Sequence, residues 1–129
     1  HLACPQDYLP DEKIVNNAVQ KPAAQITVNS DPVEAVKGAD VINTDVWASM
    51  GQEAEQESRK KIFAPYQLNA SLLKHAAKDA IVLHCLPAHR EEEITEEVLE
   101  GPHSVVWDQS ENKLHMHKAI LDILITHNK

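Results

Sequence analysis

At 129 residues, with 43% hydrophobic and 25% charged residues, the chain has the composition of one globular domain with its own core. Twenty acidic against twelve basic residues give a net charge of −8, which excludes a phosphate-binding nucleic-acid or anionic-membrane surface because that needs a basic footprint. No apolar run approaches the roughly 20 residues of a membrane span, and Cys4 and Cys85 are too few for a disulfide scaffold, so a reducing, cytoplasmic setting is expected.

The chain opens without methionine or a signal peptide on what reads as a strand, Leu2-Ala3-Cys4, so a longer parent is expected. Pro10-Asp11-Glu12 supplies a helix start, and Ile14, Val15, Ala18 and Val19 form its apolar stripe through Gln20, where Pro22 ends it. Gln25 to Asn29 is a β-branched second strand. Ser30-Asp31-Pro32 caps a short helix to Lys37, with Gly38 past its end. Val41 to Val46 is the third strand, followed by a loop over Trp47 to Glu53 and a charged helix to Ile62 that Pro65 breaks. Asn69-Ala70-Ser71 starts another helix, to Ala77. Ala80 to Leu86 is the fourth strand; its unbroken apolar run Ile81-Val82-Leu83 reads as buried on both faces, and Pro87 stops the ladder.

Glu91-Glu92-Glu93 reads as a solvated charge run. Ile94 to Glu100 is a short helix ended by Gly101-Pro102, and Ser104 to Trp107 a fifth strand. Ser110 is expected to cap a last helix that buries Leu114, Ala119, Leu121, Leu124 and Ile125. Strands alternating with helices define an α/β fold: a doubly wound, Rossmann-like parallel sheet with helices on both faces. The three glycines form no G-x-G-x-x-G phosphate loop, so no dinucleotide is implied.

In such sheets ligands bind at the carboxyl ends of the strands. Two strand ends carry reactive groups: Asp45 through Gly51 after the third strand, and His84-Cys85-Leu86-Pro87 after the fourth. An acid, a hydroxyl, a thiol and an imidazole there can bind an amine and move protons. A metal is not expected: His115 and His117 on one helix point about 200° apart and cannot share an ion.

Asp45-Val46-Trp47-Ala48-Ser49-Met50-Gly51-Gln52-Glu53 with His84-Cys85-Leu86-Pro87 resembles the second half of the ornithine carbamoyltransferases. Asp31-Pro32-Val33-Glu34-Ala35 and Glu111-Asn112-Lys113 support the resemblance, which covers the whole chain as an ornithine-binding domain over residues 1–129. It implies attack of the δ-amine of ornithine on carbamoyl phosphate, giving citrulline and phosphate without cofactor or metal. Carried over, Asp45, Ser49 and Met50 hold ornithine; His84, Cys85 and Leu86 meet the carbamoyl group and the amine; and Asp45, Cys85 and Lys113 are the catalytic candidates. Three departures stand out. The carbamoyl-phosphate half with its S-T-R-T-R and H-P-x-Q motifs is not in this sequence, nor is the G-D-G-N-N segment that forms the first, central strand. Lys113 stands where the family has arginine. The resemblance implies that the full-length parent is a homotrimer and that this segment alone is neither trimeric nor active. A non-enzymatic module using its acidic surface for a protein partner is the competing reading.

Overall fold

The computed structural model describes residues 1–21, 25–48, 51 and 55–126. Two pairs of parallel strands form the sheet framework. In the first, β1 (Leu2–Ala3) pairs with β2 (Val28–Asn29). In the second, β3 (Val41–Thr44) pairs with β4 (Ile81–His84), Ile42 lying opposite Val82 and Thr44 opposite His84. The expected second strand is two residues long here, Val28 and Asn29, which lie in register with Leu2 and Ala3.

The helices between the strands begin as their caps dictate. α1 (Glu12–Val19) starts at Asp11, whose carboxylate accepts from the Lys13 and Ile14 N–H groups. α2 (Pro32–Val36) starts at Asp31, which accepts from Val33 N–H, and Gly38 leaves it at φ 67°. α3 (Gln56–Phe63) runs into a 3₁₀ turn at Ala64–Tyr66. α4 (Ala70–Leu73), capped by Asn69, stops short of the expected Ala77 because the chain turns there to bring Ala77 N–H onto Ala39 O. α5 (Glu96–Leu99) ends at Gly101.

One core holds the second strand pair. Ile42, Leu68, Val82, Ile94, Val98, Leu99 and Val106 are buried together, with Val36, Ala39, Leu72 and Leu73 packed around them. β4 is less enclosed than its sequence suggests: Val82 and His84 are fully buried, yet Ile81 is 38% exposed and its neighbour Val41 52%. The α/β parallel class is borne out.

Two expectations fail at the C-terminal end. Ser104 makes only an isolated parallel bridge to Val82, held by Val82 N–H to His103 O and Val105 N–H to Val82 O. The fifth strand goes no further because α6 (Val106–Thr126) begins at once, with Val106 in the core and Asp108 in the favourable first turn. Ser110 is therefore inside the helix rather than its cap. The expected buried face is also absent: Leu114, Leu121, Leu124 and Ile125 are 55–68% exposed, and only Val106 of α6 is buried. The apolar positions read a helix that wants a partner, and no described residue covers it. Among the described residues no helix is long and apolar enough to cross a membrane.

A cleft of about 540 Å³ separates the two strand pairs. Leu2 and Ala3 of β1 line one wall and all four residues of β3 the other, so the edges of β1 and β3 not engaged by β2 and β4 face the same space. Aromatic contacts bridge it near the strand ends: Tyr8 meets Phe63 edge-on with centroids 4.8 Å apart, and Tyr66 donates its hydroxyl to Ser30 O at 2.8 Å.

Candidate functional site

β3 and β4 run side by side in register, so their carboxyl ends deliver Asp45 and Cys85 to one place. The Cys85 thiol donates to Asp45 Oδ1 at 3.0 Å, and the same oxygen accepts from Val46 N–H at 2.8 Å. From the other side, Lys113 Nζ donates to the Cys85 carbonyl at 2.9 Å. The three catalytic candidates thus form one line of contacts, from the carboxylate to the Cys85 thiol and from the Cys85 backbone carbonyl to the ammonium. Lys113 reaches it from the third turn of α6, not the first, so the helix N-terminus does not act there.

The hydrogen bond to Asp45, followed by burial, raises the Cys85 pKa above that of an ordinary thiol, with the Lys113 charge acting weakly the other way. Cys85 is therefore a protonated donor at neutral pH and not a thiolate nucleophile. Two observable consequences follow from the direction. Alkylation of Cys85, followed by peptide mass spectrometry to separate it from Cys4, is expected to rise at higher pH than for a free thiol. Asp45→Asn is expected to move that profile down, because the neutral amide no longer penalises the thiolate; an unmoved profile would show that Asp45 does not set it.

His84 lies behind this line rather than in it. Its side chain is fully buried, Nδ1 accepts from Leu86 N–H at 2.9 Å, and Nε2 donates to Glu93 Oε1 at 3.1 Å. Both ring nitrogens are engaged, which fixes the proton on Nε2. The His84 N–H extends the strand's pairing by donating to the side-chain oxygen of Gln109 at 2.9 Å. Leu86 follows at φ 54°, and Pro87, which has no N–H to donate, stops the ladder. Ser49 and Met50, the other expected substrate contacts, lie outside the described residues.

Glu93 corrects the reading of the acidic run as solvated. It is fully buried, and its Oε1 also accepts from His89 N–H at 2.6 Å. The backbone carries it inward: Leu68 N–H bonds to Glu93 O, Thr95 N–H bonds to Leu68 O, and Gln67 donates to the carbonyls of Glu91 and Glu92. Glu92 remains nearer the surface, paired with Lys60 at 2.9 Å. Composition hid this because one buried acid in a row of three has no periodic signature; the apolar Ile94 beside it was the available signal. Glu93→Ala would leave the fully buried His84 Nε2 donor without its acceptor, an expected destabilisation of about 1–3 kcal/mol measurable by urea denaturation. A loss below 1 kcal/mol would mean that water replaces the carboxylate.

Among the described residues two groups could offer ligands to a metal ion: Asp45 with His84 and Cys85, and His89 with Glu92 and Glu93, each set within 4.8 Å. In the first the imidazole nitrogens are both taken by protein partners, and in the second Glu92 already holds Lys60. His115 and His117 belong to neither; His115 lies 3.5 Å from Glu111 on the same helix.

A parallel α/β domain whose adjacent strand ends bring an acid, a thiol and an ammonium together is a ligand-binding domain of the doubly wound class. The pattern of the aspartate/ornithine carbamoyltransferase Asp/Orn binding domain matches residues 1–124. The chain belongs to that family. It is 60% identical over 124 residues to the ornithine carbamoyltransferase of Syntrophus aciditrophicus, covering 96% of this chain and 41% of that protein. It is 64% identical over 121 residues to that of Desulfotalea psychrophila, covering 94% and 40%. Among solved structures, ornithine carbamoyltransferase from Pyrococcus furiosus matches with a TM-score of 0.82 at 56% identity, covering 92% of this chain and 39% of that one. The anabolic enzyme from Campylobacter jejuni reaches 0.89 at 37% identity, covering 97% and 42%. The chain thus spans about two fifths of the length of these relatives.

Proposed function

We propose that this chain is the ornithine-binding half of an ornithine carbamoyltransferase. The observation that carries the reading is the line from Asp45 through Cys85 to Lys113 at the shared end of β3 and β4. The printed names of the relatives support ornithine as the acceptor. In the reaction the ammonium first gives up one proton, the neutral δ-nitrogen forms a bond to the carbamoyl carbon as the bond from that carbon to the phosphate oxygen breaks, and a second proton passes from the nitrogen to the departing phosphate. A protonated amine has no free pair to attack with, so the site must hold the amine neutral and close to the carbonyl. Asp45 orients the amine by accepting its hydrogen bond, the Cys85 thiol fixes the Asp45 rotamer, and Lys113 supplies positive charge toward the carbonyl oxygen. His84 and Glu93 serve this line from behind by fixing the turn that presents Cys85. Ser49 and Met50 complete the ornithine contacts on the strength of the resemblance.

The cleft between β1 and β3 supports the companion reading, that a central parallel strand of the full-length chain seats between these edges. The carbamoyl-phosphate half and trimeric assembly then belong to the full-length protein, and a cytoplasmic location goes with the same reading. The test is direct. The full-length chain is expected to convert ornithine and carbamoyl phosphate to citrulline and phosphate, and residues 1–129 alone to give none above a no-enzyme control, since a phosphate dianion needs clamps that this segment does not supply. Citrulline from the segment alone would sink the division of labour; none from the full-length chain would sink the activity.

A further inference from the structure

Arg59 of α3 makes three unrelated contacts with one guanidinium. Its Nη1 donates to the Trp47 carbonyl at 3.2 Å, its Nε donates to Glu55 Oε2 at 3.0 Å, and its central carbon lies 5.0 Å from the centroid of the Tyr8 ring. The side chain is only 17% exposed. The Glu55 contact alone would be an ordinary i, i+4 helix pair, worth a few tenths of a kcal/mol. That account leaves the other two contacts unexplained. Trp47 and Glu55 bracket residues 48–54, so one side chain ties the chain before that segment to the chain after it. Tyr8, from the turn after β1, lines the same cleft.

Trp47 is two residues beyond Asp45, and its ring stacks on Phe63 of the helix that carries Arg59, with centroids 6.1 Å apart. Arg59 makes no ion pair with Asp45 itself. What it holds is the backbone on which the Asp45 carboxylate is mounted. We propose that Arg59 is a positioning residue for the amine-binding carboxylate: by fixing the Trp47 carbonyl against α3 and Tyr8, it sets the place where Asp45 meets Cys85 and hence the affinity for the amino-acid substrate. This rests on the ornithine reading above for the identity of that substrate, but not for the mechanical link. A planar fork is required, because the donors to Trp47 and Glu55 must diverge in one plane while its face covers Tyr8. A lysine can make one of these contacts at a time.

The experiment compares Arg59→Gln and Arg59→Lys in the full-length chain. Arg59→Gln is expected to raise the KM for ornithine by about tenfold, a loss equal to one modest interaction, while the KM for carbamoyl phosphate stays within about twofold. Arg59→Lys is expected to recover only part of the ornithine affinity. In parallel, the Cys85 alkylation profile of Arg59→Gln is expected to shift to lower pH as the Asp45 hydrogen bond loosens, with the thermal midpoint held within a few degrees. An unchanged ornithine KM together with an unchanged alkylation profile overturns the proposal. So does an equal rise in both KM values accompanied by a collapsed thermal midpoint, which would make Arg59 a purely structural residue. Should the unmodified full-length chain make no citrulline, the substrate reading fails, and the Cys85 profile still decides whether Arg59 positions Asp45.

Discussion

Replacing Asp45 by asparagine in the full-length chain is expected to weaken ornithine binding by about tenfold or more. The carboxylate ends β3 beside Cys85, and among the described residues its bonds to Val46 N–H and to the thiol both use Oδ1. An ammonium or amine arriving at this edge gains a charge-assisted hydrogen bond worth about 1.5–3 kcal/mol. Asparagine keeps the shape and can still accept, but it removes the charge and turns a donor toward the substrate in one amide orientation. The loss should fall on ornithine and spare carbamoyl phosphate, so steady-state kinetics with each substrate varied in turn separates the two. An unchanged ornithine response for Asp45→Asn, with the response abolished by Glu53→Gln, would mean that the other carboxylate of this stretch does the binding.

Lys113→Ala in the same protein is expected to lower turnover by about tenfold to a thousandfold, its upper end matching the loss found when one donor aimed at developing charge is removed. The lysine stands at the site by geometry, 2.9 Å from the Cys85 carbonyl. An ammonium has three N–H donors, so the bond to Cys85 leaves others for the carbonyl oxygen on which charge grows. Its place in the third turn of α6 removes the helix terminus as an explanation for a cation here. Lys113→Arg should retain or raise activity, since guanidinium adds a second aligned donor to the same charge. Folding is not expected to suffer, because the side chain is exposed and its single carbonyl partner can turn to water. Near-normal turnover for Lys113→Ala would reduce the residue to a surface contact.

Much of this architecture was legible in the residues. Asp11, Asp31 and Asn69 announce their helices by the preference of short polar side chains for free N–H groups, and each makes that bond. β2, β3 and β4 follow from their β-branched residues, although the paired segments are shorter than the runs. Ser104-Val105-Val106-Trp107 reads as strand by propensity, and its first residue does bridge to Val82. Val106 is then claimed by the core as the first residue of a helix, a tertiary preference that local propensity cannot register. The meeting of Asp45 and Cys85 was legible because two strand ends in one parallel register bring them together, and Lys113 joins them from α6. Glu93 and Arg59 were not, since what distinguishes them is burial and long-range contact. The face of α6 was misjudged for a related reason: periodicity says which side of a helix is apolar, and says nothing about whether a neighbour lies within the same stretch of chain.

The two strand pairs bury very unequal amounts, and this bears on how the domain opens. The main core runs from Val36 to Val106, whereas the pair β1–β2 contributes Cys4, and α1 buries no residue. Closing each pair spans similar lengths of chain, Leu2 to Val28 and Val41 to Ile81, so loop entropy differs by well under about 1 kcal/mol. The difference in cohesion therefore comes from burial. In residues 1–129 taken alone, the amides of Leu2 and Cys4, bonded to Thr27 and Asn29, are expected to exchange before those of Ile81 and Val82, which adjoin the main core. Asp45 and Cys85 sit on the better-buried side of that divide. Tyr8 sits on the other, so opening of the first strand pair is expected to take the Tyr8 ring from Arg59 while the bond between acid and thiol stays in place.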